Sequence, residues 1–237
     1  MTGIYRLVLT GCLAFLLANA ALGPGRAAAA ICDNLPPSKL VVLGVTAPEV
    51  DEEEIPAASL DRKPVAGALT FRHTMMLAST VLVSWFEIRH RPVPRPGGSV
   101  CDAPELVRIV FGAAQRQVFL AEPAADDPCV RRKLLEHEAD HERAFGEAVD
   151  RFINDRRSEF ARGMKALKQM PAPDAKTAAD RWDEGLRLIV SEAKRQLMVE
   201  LRAASAAVDT PAVLTSLRQA CNGRIKELER RQAATAP

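Results

Sequence analysis

The chain has 237 residues, 48% hydrophobic and 26% charged, with 32 Lys and Arg against 30 Asp and Glu. Near-neutrality excludes a protein built to neutralise phosphate, and the apolar share excludes intrinsic disorder. With 5% aromatic residues, the core must be assembled from Leu, Val, Ile and Ala rather than from rings.

Residues 1–30 have the anatomy of a secretory signal peptide: Arg6, an apolar run over 7–17, then small-residue cleavage signals at Ala18-Asn19-Ala20 and Ala28-Ala29-Ala30. The mature chain, 31–237, is expected as a single periplasmic or secreted domain with no membrane span and no nucleic-acid partner. Arg6 and Arg26 are the only charges in the leader, so cleavage after Ala30 leaves a formally neutral protein. Cys32, Cys101, Cys129 and Cys221 remain, an even number in an exported chain, which predicts two disulfides. Cys101 and Cys129 flank a predicted hairpin while Cys32 and Cys221 lie near the mature ends. The expected pairing is therefore Cys101–Cys129 and Cys32–Cys221.

In chain order, the apolar run KLVVLGV (39–45) predicts a strand, and the acidic, proline-bounded 48–56 an exposed loop. Residues 68–90 are rich in β-formers, whereas the prolines of 89–98 preclude regular structure. LVRIVF (106–111) and RQVFL (116–120) predict two strands of a hairpin joined by Gly112-Ala113-Ala114-Gln115. From Val130 the period becomes helical, with Leu134, Phe145, Val149, Phe152 and Phe160 on one stripe. Pro171-Ala172-Pro173 ends that helix. A second helix carries Trp182, Leu186, Ile189, Ala193, Leu197 and Leu201. Asp209-Thr210-Pro211 reads as the cap and first-turn proline of a third, running through Leu214, Leu217, Cys221, Ile225 and Leu228. The fold class is α+β: a small, mainly antiparallel sheet, then a long helix and two more.

His137-Glu138-Ala139-Asp140-His141 is an HExxH motif inside the first helix, and it holds two of the chain's four histidines. Histidines four apart project from one helix face, so both imidazoles can bind one tetrahedral Zn²⁺. The intervening glutamate can then act as general base towards an activated water. On the helical wheel His141 falls within about 40° of Leu134, Phe145 and Phe152, and His137 at the edge of the stripe. The pair faces inward.

The run Gly97-Gly98-Ser99-Val100-Cys101, the segment RIVFGAAQRQVFLA, then Asp127-Pro128-Cys129 and LLEHEADHERAF resemble a bacterial domain-of-unknown-function family taken to be secreted zinc-dependent proteases. The resemblance spans about residues 68–165. It implies a zincin-like arrangement, His137 and His141 as zinc ligands, Glu138 as catalytic base, and a peptide or protein as substrate. It also implies an extended substrate pairing with an edge strand upstream of the metal helix, for which Arg116 to Leu120 is the candidate.

The third ligand is not fixed by the motif. Ala144 and Glu147 stand where a metzincin has glycine and histidine. Glu147 points away from the histidines in a continuous helix. Glu200 comes level with His141 if the chain folds back at 171–173, with Glu184 and Glu192 nearer the turn. His73 and His90 are less usual choices, and His73 beside Met75 and Met76 suits packing. The alternative to an enzyme is a non-catalytic, disulfide-stapled envelope protein whose helical half binds a partner.

Overall fold

Residues 106–121, which read as a hairpin, form one continuous strand. In the computed structural model, which describes residues 32, 34–45, 50–60, 68–73, 75–168 and 171–235, this strand is β7 (Leu106–Ala121). The expected signal peptide lies outside the described residues. β7 is the spine of a five-stranded sheet. β4 (Met76–Arg89) pairs antiparallel with it along nearly its whole length, and β3 (Ala68–His73) pairs antiparallel with β4. On the other side β1 (Lys39–Val45) and β2 (Val50–Ile55) pair in parallel with the first and second halves of β7. The sheet is therefore mixed, and the acidic 48–56 segment contributes a strand rather than a loop. Asp51 to Glu54 are exposed, so their charge is no obstacle to pairing. β5 (Pro92–Pro94) and β6 (Val100–Asp102) make a separate two-stranded ribbon, in which the prolines tolerate pairing as short edge segments.

Long-range pairing overrides the local turn signal in β7. A hairpin would let 106–111 and 116–120 satisfy only each other, whereas the extended strand has a partner on each side. Gly112 makes this possible. Its φ is +147°, and a Cβ there would lie 1.8 Å from the carbonyl oxygen of Val45. The glycine serves close strand approach, not a turn.

Opposite β4, Ala113 pairs with Leu82 and Gln115 with Val81, so Ala114 is an extra, bulged residue. Side chains alternate faces along a strand, and one inserted residue reverses the alternation. Val107, Ile109, Phe111 and Ala113 face the helices before the bulge. After it the even positions do, starting with Arg116, whose partner Thr80 lies on the same face of β4 as Leu82. The bulge thereby turns an arginine inward.

α1 (Ala57–Leu60) and α2 (Glu122–Ala125) are single turns, followed by α3 (Pro128–Lys168), α4 (Ala175–Val208) and α5 (Pro211–Thr235). The three long helices are those read from the periodicity, and the break falls at the Pro171-Ala172-Pro173 segment. Asp174 caps α4 by accepting from the backbone N–H of Thr177 at 2.8 Å. α5 is interrupted where Cys221, Asn222 and Gly223 have positive φ, so its two segments run in different directions. Two apolar clusters result. One joins Val107, Ile109 and Phe111 to Phe152, Phe160, Trp182 and Leu197. The other joins Met75, Leu77, Val118 and Leu120 to Leu134, Leu217, Ile225 and Leu228.

Both disulfides form, with pairing other than expected. Cys32 joins Cys101 and Cys129 joins Cys221, with Cα separations of 5.8 and 5.9 Å. Cys101–Cys129 and Cys32–Cys221 pairing depended on a hairpin bringing positions 101 and 129 together. The continuous β7 instead puts roughly 50 Å of extended chain between them, at about 3.3 Å per residue. The observed bridges close sequence separations of 69 and 92 residues. In the chain-entropy treatment each is worth about 4–5 kcal/mol.

Candidate metal centre

The buried stripe of α3 runs Val130, Leu134, His137, His141, Phe145, Ala148, Phe152, so the two histidines stand in line with core residues. The stripe of α4 runs Leu186, Val190, Ala193, Leu197, Leu201, Ser205. One more step of four reaches Asp209, just past the helix. Because α4 returns alongside α3, these last two positions of its stripe arrive at the histidines. Ser205 Oγ lies 3.2 Å from His141 Nδ1, and Asp209 Oδ1 lies 3.0 Å from Nε2 of both His137 and His141.

Three donor atoms, one each from His137, His141 and Asp209, lie within 4.8 Å of one another and could hold a metal ion. Donors about 2.0–2.1 Å from a tetrahedral Zn²⁺ stand about 3.3 Å apart; the two separations from Asp209 Oδ1 to the histidine Nε2 atoms are 3.0 Å, and all three donors fall within 4.8 Å. The hydrogen-bonding logic also suits a cation. When His141 donates its Nδ1–H to Ser205, its Nε2 presents a lone pair to a carboxylate oxygen, an acceptor facing an acceptor. A shared cation or an additional proton relieves that opposition, and a partner on the far ring nitrogen is what orients metal-binding histidines. Burial holds the His141 pKa below its usual 6.5, opposed by the nearby Asp209 carboxylate, so the ring tends to stay neutral and available.

Within the predicted cap Asp209-Thr210-Pro211, Asp209 closes α4 and is not the residue that caps α5. Thr210 takes that part at α5, its Oγ1 accepting from the backbone N–H of Val213 at 3.3 Å, which leaves the Asp209 side chain for the histidines. The glutamates considered from sequence lie elsewhere. Glu147 pairs with Arg151, Glu184 with Arg187 and Glu192 with Arg195, all on exposed surface or its margin. Ser205, not Glu200, stands opposite His141. Glu200 is five residues back, and five residues rotate it about 140° around the helix. His90 is engaged by Asp102 and Asp183 near the β5–β6 ribbon.

Glu138 points from α3 towards β7, where Arg116 meets it. The guanidinium donates to Glu138 Oε1 through Nε at 3.1 Å and through a terminal nitrogen, and to the Glu138 carbonyl at 3.0 Å. Both side chains are about 5% exposed. Oε2 of the same carboxylate is buried with no hydrogen-bond partner among the described residues. Burial raises the Glu138 pKa from its usual 4.5, against the opposing pull of Arg116. Arg116 is a site residue that the sequence reading assigned to a substrate-binding edge. β7 is flanked on both sides, so Arg116 to Leu120 has no free edge for a substrate strand.

The centre is accessible from one side. A cleft of about 500 Å³ runs between the first turns of α3 and the first segment of α5, lined by Lys133, His137, Asp140, Val213, Leu217 and Ala220 among others. The Asp209 side chain is about a third exposed. Among the described residues no helix is long and apolar enough to cross a membrane. No known protein family, curated protein or solved structure matches this chain.

Proposed function

We propose that the protein is an exported zinc metallopeptidase of zincin-like layout, with His137, His141 and Asp209 as the metal-holding set and Glu138 as general base. The observation that carries this reading is the three-donor group beside an open cleft. Catalytic zinc sites have three protein ligands and keep a position open, whereas structural sites are closed by four. When bound, Zn²⁺ supplies Lewis acidity for a carbonyl and lowers the pKa of a water.

The chain's own residues supply the remaining parts. Arg116 fixes one oxygen of Glu138, and the unpartnered Oε2 is the atom to receive a proton and pass it to the leaving amine. Burial raises the basicity of that carboxylate above the ordinary range. The cleft past His137 offers apolar Val213, Leu217 and Ala220 on one wall and charged Lys133, Glu136 and Asp140 on the other, suiting an amphipathic peptide. Peptide rather than another acyl substrate rests on the sequence resemblance. Two disulfides suit an oxidising compartment, periplasmic or extracellular.

The test is metal analysis of the purified mature protein together with cleavage of unfolded casein. The expected results are one zinc per chain, loss of cleavage on chelation, and loss of cleavage but not of zinc in Glu138→Gln. Absence of zinc, or zinc without hydrolysis, would replace this reading by the non-catalytic envelope protein.

A further inference from the structure

The two disulfides differ in setting. Cys32 and Cys101 are 4% and 0% exposed, whereas Cys129 and Cys221 are both half-buried. Thiol–disulfide exchange requires a thiolate to reach a sulfur, so access separates the bridges and leaves Cys129–Cys221 open to attack. Cys129 stands in the first turn of α3, the helix that carries the motif, and Cys221 at the kink of α5. Cys221 has a φ of +53°, a left-handed conformation that a side chain disfavours and that persists where the surroundings impose it.

The segment between Asp209 and that kink is thinly anchored. From Pro211 to Ala220 only Leu217 is buried, with Leu214 and Ala220 half-buried beside it and the rest exposed. Beyond the kink Ile225 and Leu228 are buried, and Arg224 lies 3.4 Å from Asp127 just before α3, so the second segment has anchors of its own. Arg218 pairs with Glu229 across the kink, but its half-exposed side chain leaves that pair screened by solvent. The first segment nevertheless forms one wall of the cleft through Val213, Leu217 and Ala220, across from His137. Its other end carries Asp209. The backbone N–H of Leu214 donates to the Thr210 carbonyl at 3.0 Å and that of Val213 to Thr210 Oγ1, so the link presenting the third donor is built onto this segment.

We propose that the Cys129–Cys221 disulfide is a redox latch on the cleft and, through Asp209, on the metal centre, opened by a dithiol reductant. One thiolate of the reductant attacks the bridge and forms a mixed disulfide, and its second thiol displaces the protein. Two electrons and two protons pass to the cysteines, leaving both as thiols and the reductant as a disulfide. With the bridge cut, Cys221 relaxes from its left-handed conformation, the first segment of α5 moves off α3, and Asp209 is held less firmly against His137 and His141. The effect on metal rests on the metal-centre reading, and not on the identity of the reaction catalysed there.

Titration of the full mature chain with dithiothreitol, followed by iodoacetamide and peptide mass spectrometry, tests the latch. Cys129 and Cys221 should be alkylated while Cys32 and Cys101 stay bridged, with the far-ultraviolet circular dichroism unchanged. After removal of the reagents, backbone amide exchange over 212–220 should be about tenfold faster than in the oxidised protein, and that over 225–228 unaltered. Zinc affinity measured by chelator competition should be about tenfold weaker. The double variant Cys129→Ser, Cys221→Ser, which carries neither thiol nor alkyl group, should match the alkylated protein; if that variant does not fold, the alkylated protein decides alone. Reduction of both bridges together, loss of the fold on reduction, or exchange and zinc affinity both within about threefold of the oxidised protein would overturn the proposal. If the oxidised protein binds no zinc, the metal-centre reading fails, and selective reduction with amide exchange still decides whether the bridge latches the cleft wall.

Discussion

Replacing Arg116 by Met is expected to be among the most damaging single changes outside the candidate metal centre. Arg116 and Glu138 are both about 5% exposed, and three hydrogen bonds run from the guanidinium to Glu138. Removing one member of a buried ion pair costs about 3–5 kcal/mol, because the remaining charge stays buried without compensation. Methionine fills most of the arginine stem's volume, so the loss reports the charge rather than a cavity. Glu138→Met alone leaves Arg116 uncompensated, except for Glu142 at 3.6 Å, and is expected to cost a similar amount. The double variant removes both charges and is expected to fall within about 1–2 kcal/mol of the wild type, a coupling of several kcal/mol. Urea unfolding of the metal-free proteins at pH 8, followed by far-ultraviolet circular dichroism, measures all four corners of the cycle. An Arg116→Met loss below about 1 kcal/mol, or additive single losses, would refute the claim that the bulge places this arginine to neutralise Glu138.

Three further outcomes follow from the same geometry. Asp209→Asn keeps the shape and removes the charge, and zinc affinity measured by chelator competition should fall about 100-fold, while Ser205→Ala should lose about tenfold; affinities within threefold of wild type would remove both residues from the centre. Gly112→Ala should cost about 2–5 kcal/mol in the same urea assay, since its Cβ collides with the Val45 carbonyl and its φ of +147° disfavours a side chain; a near-neutral change would mean that β1 does not approach β7 this closely. Burial lowers the pKa values of His73 and His141 below 6.5, so in the unfolded chain these rings take up protons first as pH falls. Their contribution to stability is present above about pH 6.5 and is lost below it. The raised pKa of Glu138 acts in the opposite sense above pH 4.5. The melting temperature of chelated protein should therefore decline from pH 7 towards pH 5.5, less steeply in His73→Gln; an unchanged slope in that variant would show that His73 does not contribute.

The helical half was legible because its information is local. A stripe at spacings of three and four residues, a proline break and an HExxH motif specify α3 and the inward face of its histidines without reference to distant residues. The sheet was less legible. Gly112-Ala113-Ala114-Gln115 has the composition of a turn, and only the availability of β1, β2 and β4 as partners makes it a bulged strand. The disulfide expectation failed through that same residue stretch, since pairing was inferred from a hairpin that does not form. Asp209 was missed for a different reason. Its place before Thr210-Pro211 suggested a cap, and the candidates for a third ligand were glutamates and the two remaining histidines. A signal was nevertheless present: Leu197, Leu201, Ser205 and Asp209 continue one spacing of four, with the apolar stripe turning polar where it meets the histidines.

The centre occupies the boundary between the two apolar clusters, and its parts are delivered by elements that those clusters hold independently. Phe145 and Phe152 on α3 and Leu197 and Leu201 on α4 belong to one cluster and fix the register that brings Ser205 and Asp209 to His141. Leu134 on α3, Leu217 and Leu228 on α5 and Met75 after β3 belong to the other, which brings His73 and Glu229 together. Cys129 and Cys221 tie the first turn of α3 to the kink of α5, about two helical turns from His137. That bridge fixes the far wall of the cleft against the helix that carries the motif. The candidate metal ligands and the far wall of the cleft thus depend on different packing units, joined by α3 and by one disulfide. A core substitution in the first cluster should disturb metal affinity, whereas one in the second should disturb the α5 wall of the cleft first.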